Sequence, residues 1–328
     1  MIRRDGAEKS EIIHLVEHSS LPVKRMLDEL QVPRSTFYRW YKQYQEDGPD
    51  GLIDHRPNPR QIWNRIPAEV KQQVVELALA HPDRSPRQIA WLFTDQKGYF
   101  ISESTAYRIL KAFDLVESPV FTVSSAADEF KHPTKCVNEL WQTDFTYFKI
   151  MGWGWYYLSS VLDDFSRYIL AWKLTATMAT TDVQDTLQLA LDKTGLDHVL
   201  VEHRPRLLSD NGSCYVSKEL QLFLDRKRMD HTRGAPYHPM TQGKIERYHR
   251  SMKNVVNLQN YFLPAELETE IASFVAYYNH QRYHESLNNL TPADVYHGRT
   301  KEVLSRRDEI KKRTLHQRRL QNLQSAAV

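Results

Sequence analysis

Two neighbouring stretches, RPRLLSDNGSCYVSKELQLFL (residues 204–224) and APYHPMTQGKIERYHRSMKNVV (residues 235–256), decide the reading of this chain. The first predicts a short buried strand through Leu207 and Leu208 that ends at Asp210. Asn211-Gly212 makes a turn, and an amphipathic helix follows. In the second, Pro239 precedes a helical pattern. Ile245, Tyr248, Met252 and Val255/Val256 recur at three- and four-residue spacing on one face, and Gln242, Glu246, Arg250 and Lys253 fall on the other. Cations alone suffice to bind phosphate, so a carboxylate in the middle of a basic face calls for another role. A hard divalent ion supplies one, because it takes carboxylate oxygens and keeps room for water and phosphate.

A third acidic residue comes from NELWQTDFTYFKI (residues 138–150). Thr143, Phe145 and Tyr147 alternate with Gln142, Asp144, Thr146 and Phe148, a period of two built from aromatic and β-branched residues, which predicts a strand. Asp144 then sits mid-strand, where a charge is costly unless it binds something. Each of Asp144, Asp210 and Glu246 taken alone reads as an ordinary surface carboxylate. Together, in these contexts, they read as a metal site. The rival pair, Asp163 and Asp164, lies in a tight turn and reads as turn chemistry.

The order Asp144, Asp210, Glu246, with thirty-five residues between the last two, resembles the DDE integrase-core transposases of bacterial insertion sequences and the retroviral integrases. So do WQTDFT, SDNGSCY, HPMTQGKIERYHRSMK and YYNHQRYHESLNNLTPADVY, and Lys253 falls where that family usually carries a basic residue. The resemblance covers residues 138–298. It implies an RNase-H-like core in which Asp144, Asp210 and Glu246 are both catalytic residues and metal ligands. Two Mg2+ ions per active site are implied, with Mn2+ able to substitute, together with phosphoryl transfer on DNA ends and no organic cofactor. Lys244, Arg250 and Lys253 would clamp the phosphates of the transferred end, and His238 or His249 would help to position DNA. The implied partners are double-stranded DNA, both terminal inverted repeats and target, and further copies of the chain in a dimer or higher oligomer. Unlike retroviral integrases, the chain has no N-terminal His/Cys zinc module.

With 328 residues, 41% hydrophobic and 26% charged, the chain reads as two or three ordinary globular domains. Two cysteines, Cys136 and Cys214, exclude a disulfide framework or a four-cysteine zinc site. No long apolar run or signal peptide is present, so the expected setting is cytoplasmic, nucleoid-associated when bound to DNA, with no membrane partner. Net charge is only +3, yet residues 226–253 hold eight Lys/Arg against two acids, so the remainder of the chain is net negative. Positive charge is concentrated around the proposed site, as backbone-phosphate binding requires.

The first hundred-odd residues predict two three-helix modules, each with a late helix that opens on a polar, basic turn. The words STFYRWYK (residues 35–42) and STAYRILK (residues 104–111) align as S-T-x-Y-R-x-x-K. A repeated recognition-helix pattern favours two helix-turn-helix modules over two plain bundles. The groove-facing candidates are Arg34, Ser35, Thr36, Tyr38 and Arg39 in the first, and Ser104, Thr105, Tyr107 and Arg108 in the second. Arg56 and Arg60 lie in a Gly/Pro-rich connector that reads as a linker along DNA.

The expected fold class is therefore multidomain: two all-α helix-turn-helix domains, then an α/β RNase-H-like integrase core and a helical C-terminal tail. The expected ranges are residues 1–50 and 66–116 for the helix-turn-helix domains, with a linker at 51–65. A second linker at 117–137 leads to the core at 138–299, and a basic tail occupies 300–328. That tail carries eight Lys/Arg and three acids from residue 301 on, and reads as a DNA arm, a partner helix or a frayed end. His14/His18 and His280/His284 have i, i+4 spacing, but neither pair has a third metal ligand at a matching position. Two other classes stay open: a helix-turn-helix regulator with an inactive core, and an RNase-H-like nuclease acting on RNA or branched DNA.

Overall fold

Strand β1, the eleven residues Leu140–Ile150, is the middle strand of a five-stranded sheet in a computed structural model of the chain. The structure describes residues 5–52, 63–116, 134–197, 204–234 and 242–324. It divides into two compact units, Met1–Trp63 and Asn64–Val328.

In the first unit, α1 (Gly6–His18), α2 (Val23–Glu29) and α3 (Arg34–Asp47) enclose a small core of Ile12, Ile13, Val16, Leu27, Val32, Phe37, Trp40 and Leu52. Asp5 starts α1 through a reciprocal capping box with Glu8, with bonds of 2.8 and 3.1 Å that satisfy two otherwise orphaned amides.

The second unit opens with α4 (Ala68–Ala80), α5 (Pro86–Lys97) and α6 (Glu103–Ala112), which pack around Val74, Ile89, Phe93, Ala106 and Leu110. Ser85 and Ser102 cap α5 and α6, as their sequence positions predict. The sheet follows. β2 (Gly154–Asp163) pairs antiparallel with β1, and β3 (Ile169–Thr175) antiparallel with β2. Beyond α7 (Thr180–Thr194), β4 (Arg206–Ser209) lies parallel to β1 on its other side, and β5 (His231–Arg233) lies parallel to β4, giving the order β3-β2-β1-β4-β5. Three polar residues carry no alternation, and β5 has no counterpart in the sequence reading.

Both sheet faces are covered. Trp141, Val161, Leu170 and Leu207 on one face meet α7, α8 (Ser213–Val216) and α9 (Lys218–Lys227) through Leu187, Leu191, Leu220 and Leu224. Phe148, Leu158, Leu162 and Ile169 on the other meet α10 (Gly243–Val256) and α11 (Pro264–His280) through Ile245, Tyr248, Met252, Phe274 and Tyr278. Phe274, Val275 and Tyr278 are thus core residues. Asp163 is fully buried at the β2–β3 turn, where it accepts bonds from the Ser166 amide and hydroxyl and the Asn138 amide, so its role is structural.

After α12 (Pro292–Tyr296) comes the 25-residue helix α13 (Thr300–Gln324). It is neither an arm nor a frayed end. Its buried stripe is Val303, Arg307, Ile310, Thr314 and Arg318; Val303 packs with Leu290 and Val295, while Arg307, Thr314 and Arg318 bond α5 and the segment that follows it. Arg307 forms a bidentate pair with Asp95 at 2.8 and 2.6 Å, sandwiched by the rings of Trp91 and Tyr283, and Tyr283 also donates to Asp95. Thr314 accepts from the Phe100 amide at 3.0 Å, and Arg318 bonds the Phe100 carbonyl and the Tyr99 hydroxyl.

His284, just beyond α11, packs edge-on against Tyr278 with 5.0 Å between ring centroids. Burial, reinforced by nearby arginines, pushes its imidazole down to about 3 from the ordinary 6.5. The folded chain holds it neutral while the unfolded chain protonates it below about pH 6.5, so its contribution is complete above that pH and is lost as pH falls toward 3. Urea unfolding at pH 7 and pH 5 should show a loss of roughly 1 kcal/mol per pH unit from this residue, and His284→Gln should flatten that dependence.

Candidate active site

The parallel register of β1 and β4 pairs Gln142 with Leu208. Asp144 and Asp210 each stand two residues beyond that pair, Asp144 inside β1 and Asp210 just past β4, so they lie side by side on neighbouring strands, which are about 4.8 Å apart in any sheet. Their fields converge on one place. The Cys214 thiol is pushed up by burial first and then by Asp210 and Asp144, and the buried Tyr215 hydroxyl is raised by burial with both aspartates adding to it.

Local chemistry fixes each carboxylate. Asp144 accepts from the Phe145 amide at 2.8 Å, and the Nδ1 of buried His249 lies 3.4 Å from its other oxygen. Asp210 accepts from the Gly212 amide at 2.9 Å, folding the chain into an Asx turn, and the Asn211 side chain bonds the Gly234 carbonyl at 2.7 Å. A Cβ on residue 212 would lie 3.1 Å from Asp210 Oδ1, so glycine is what lets the backbone approach the carboxylate.

Glu246 is exposed in the first turn of α10, and a buried network holds that turn. The Ile245 amide, an orphan donor of the helix start, bonds Gln142 Oε1 at 3.1 Å. Gln142 Nε2 in turn donates to Asp164 at 2.7 Å, and Asp164 also receives Thr134 Oγ1 and Lys244 Nζ, each at 2.7 Å. Gln242 Nε2 adds a long bond of 3.4 Å to the Thr143 carbonyl. The two residues before Asp144 thus anchor the helix that carries Glu246.

Sequence reasoning missed Gln142, Asp164 and His249 as positioning groups. The period of two does put Gln142 on the face of Asp144, but nothing in the pattern discloses its long-range partner. Lys244, expected as a phosphate clamp, has its ammonium bonded to the side chain and carbonyl of Asp164 and is mostly covered. Arg250 is exposed. Lys253 Nζ lies 4.1 Å from the Tyr147 ring centroid; burial lowers its pKa and Asp144 acts in the opposite direction. His249 faces Asp144 and is buried, so it positions that carboxylate and not DNA; His238 lies outside the described residues.

Three oxygen donors of this kind suit a hard divalent ion and not a soft one. The carboxylate oxygens of Asp144, Asp210 and Glu246 do not all lie within 4.8 Å of one another. Among the described residues, the three-donor cluster that does is His14, Glu17 and His18 on the exposed face of α1, where Glu17, three residues after His14, is the third potential donor.

The two S-T-x-Y-R-x-x-K words share one burial pattern. Ser35, Tyr38 and Arg39 are exposed and Thr36 half-buried, with Phe37 and Trp40 inside; Ser104, Tyr107 and Arg108 are exposed and Thr105 half-buried, with Ala106 and Ile109 inside. Arg34 is exposed at the start of α3. Arg56 and Arg60 lie outside the described residues.

Residues 134–239 and 227–292 match two models of the integrase core domain, and residues 3–53 and 36–110 match two models of homeodomain-like domains. The chain therefore carries an integrase core preceded by homeodomain-like helix-turn-helix domains. It is similar to the transposase for insertion sequence element IS629 of Shigella sonnei, 30% identical over 48% of this chain and 51% of that one. It is also similar to transposase InsK of insertion sequence element IS150 from Escherichia coli (strain K12), 24% identical over 83% of this chain and 93% of that one. The chain spans about half the length of the first of these, and 6% of the Gag-Pro-Pol polyprotein of squirrel monkey retrovirus, which it also matches. Among solved structures, the HTLV-2 integrase catalytic core domain in complex with magnesium aligns at 21% identity and a TM-score of 0.39, over 49% of this chain and 97% of that one. Among the described residues no helix is long and apolar enough to cross a membrane.

If Lys244 holds α10, Lys244→Met leaves Asp164 buried and without its cation, and should cost about 3 kcal/mol in urea unfolding. Arg250→Met, on the exposed face, should change stability by less than about 0.5 kcal/mol.

Proposed function

We propose that the chain is the transposase of an insertion sequence: a DNA strand transferase that binds the element's terminal inverted repeats, cleaves at its ends and joins the 3′-hydroxyl ends to target DNA. The observation that carries this reading is the juxtaposition of Asp144, inside β1, and Asp210, just past the end of the parallel neighbour β4, with Glu246 on a helix tied to β1. The named transposases among its relatives support it.

In this reading Asp144, Asp210 and Glu246 hold Mg2+, two ions per site with Mn2+ as a substitute. The ions supply Lewis acidity toward the attacking and leaving oxygens of an in-line displacement at phosphorus. The chain's own residues position and neutralise. His249 and the Phe145 amide hold Asp144, the Gly212 amide holds Asp210, and the Gln142–Asp164–Lys244 network holds the turn that carries Glu246. Lys253 and Arg250 take the phosphates of the transferred end. No Ser, Cys or His nucleophile is needed, because preorganised charge and position do the work. Arg34, Ser35, Thr36, Tyr38 and Arg39, with Ser104, Thr105, Tyr107 and Arg108, read the repeats, and the chain acts on two DNA ends as a dimer or larger assembly.

Asp210→Asn should cut the joining of a labelled repeat end to target DNA by at least about a hundredfold while repeat binding persists. Unchanged joining would refute the site. Arg39→Ala and Arg108→Ala should each weaken binding of the cognate repeat by about tenfold, and of a scrambled duplex much less, in gel-shift titrations at fixed salt.

A further inference from the structure

Next to the carboxylates, the hairpin end of β1 and β2 and the C-terminal end of α10 enclose a cleft of about 390 Å³, of whose lining the roles above use Lys253 alone. Its walls are unusual for a protein surface. Tyr147 and Trp155, which a folded chain tends to cover, are 55% and 53% exposed. Their rings meet edge to face with centroids 5.3 Å apart, so the pair forms an ordered corner. Lys149 and Lys253 stand beside them, and Asn257, Gln259 and Asn260 offer amide donors and acceptors around the rim.

Exposed aromatic rings, flanking cations and neutral amides together match one ligand chemistry. A nucleobase stacks on an aromatic face, its edge pairs with amides, and its phosphate meets an ammonium. Bases inside a duplex have their faces occupied by neighbours, so an aromatic face selects an unpaired one. A protein partner of ordinary interface composition would favour an apolar centre depleted of lysine, and here two lysines line the cleft itself. Its position adds to this: Lys253 Nζ lies 4.1 Å from the Tyr147 ring centroid and also feels the charge of Asp144, so the cleft and the carboxylates share a residue.

We propose that this cleft takes an unpaired nucleobase of a DNA strand, stacked on Trp155 with its edge against Tyr147, and with the adjoining phosphate on Lys253 or Lys149. The inference rests on the proposed function only in taking that strand to be a frayed or cleaved end entering the carboxylate site.

The test is fluorescence-anisotropy titration of the full chain with a labelled oligothymidylate and, separately, with a blunt duplex of the same length, at one salt concentration. Trp155→Ala and Tyr147→Ala should each bind the oligothymidylate at least about tenfold more weakly, with duplex affinity nearly unchanged. Trp155→Phe, which keeps an aromatic face, should retain most of the wild-type affinity and so separates stacking from misfolding. Failure of the wild-type chain to bind oligothymidylate, alanine variants that bind it as the wild type does, or equal losses for both DNAs overturn the proposal. Asp210→Asn measured alongside keeps the two ideas apart: it should bind oligothymidylate normally whether or not the wild-type chain joins DNA ends.

Discussion

One buried carboxylate, Asp164, and the amide of Gln142 that touches it hold the architecture of the candidate site together. Gln142 belongs to the central strand, Asp164 to the turn between β2 and β3, and Lys244 and Ile245 to the first turn of α10. Removed from water, each of these polar groups is costly unless every partner is present, so the network is satisfied as a whole or not at all. That condition fixes the helix against the sheet with a definiteness that apolar packing does not provide. Ile245, Tyr248, Met252 and Val256 tolerate a small slide along the sheet face, whereas the bond from the Ile245 amide to Gln142 does not.

The site therefore combines two kinds of constraint. The aspartates are set by backbone, one inside a strand and one directly after a strand, and parallel pairing brings them side by side. Glu246 is set by side chains, through a helix start that borrows its missing acceptor from the strand. The Cα of Glu246 is thereby held in place. On the proposed function, a scaffold fixed in this way lets the three carboxylates hold a cation without moving it.

Much of this was legible in the sequence, for identifiable reasons. The two recognition helices, the central strand, the β2–β3 turn and α10 all have strong local signals: a repeated word, alternation, Asp-Asp-Phe-Ser, and three- and four-residue apolar spacing. The structural part of Asp163 was also readable, because turn chemistry is local. What could not be read is long-range and polar. Lys244 looked like one more cation on a basic face, and only the fold reveals that its partner is eighty residues upstream. The docking of α13 was hidden for a related reason. Arginines and a threonine make up most of its buried stripe, so no apolar periodicity marks the face that packs. Glu17, by contrast, stands at i+3 from His14 and was within reach of helix periodicity as a third donor beside His14 and His18.

The Arg307–Asp95 pair has a consequence for how DNA is measured. Clamped between Trp91 and Tyr283, and helped by Arg318 and Thr314, it fastens the bundle bearing Tyr107 and Arg108 to the α13 segment that follows the catalytic sheet. Aromatic cover shields this fastening from ionic strength more than an open ion pair would be. On the proposed function, that fastening limits how far the sequence read by α6 can shift relative to the phosphate presented to Asp144 and Asp210, and so restricts the number of base pairs between them.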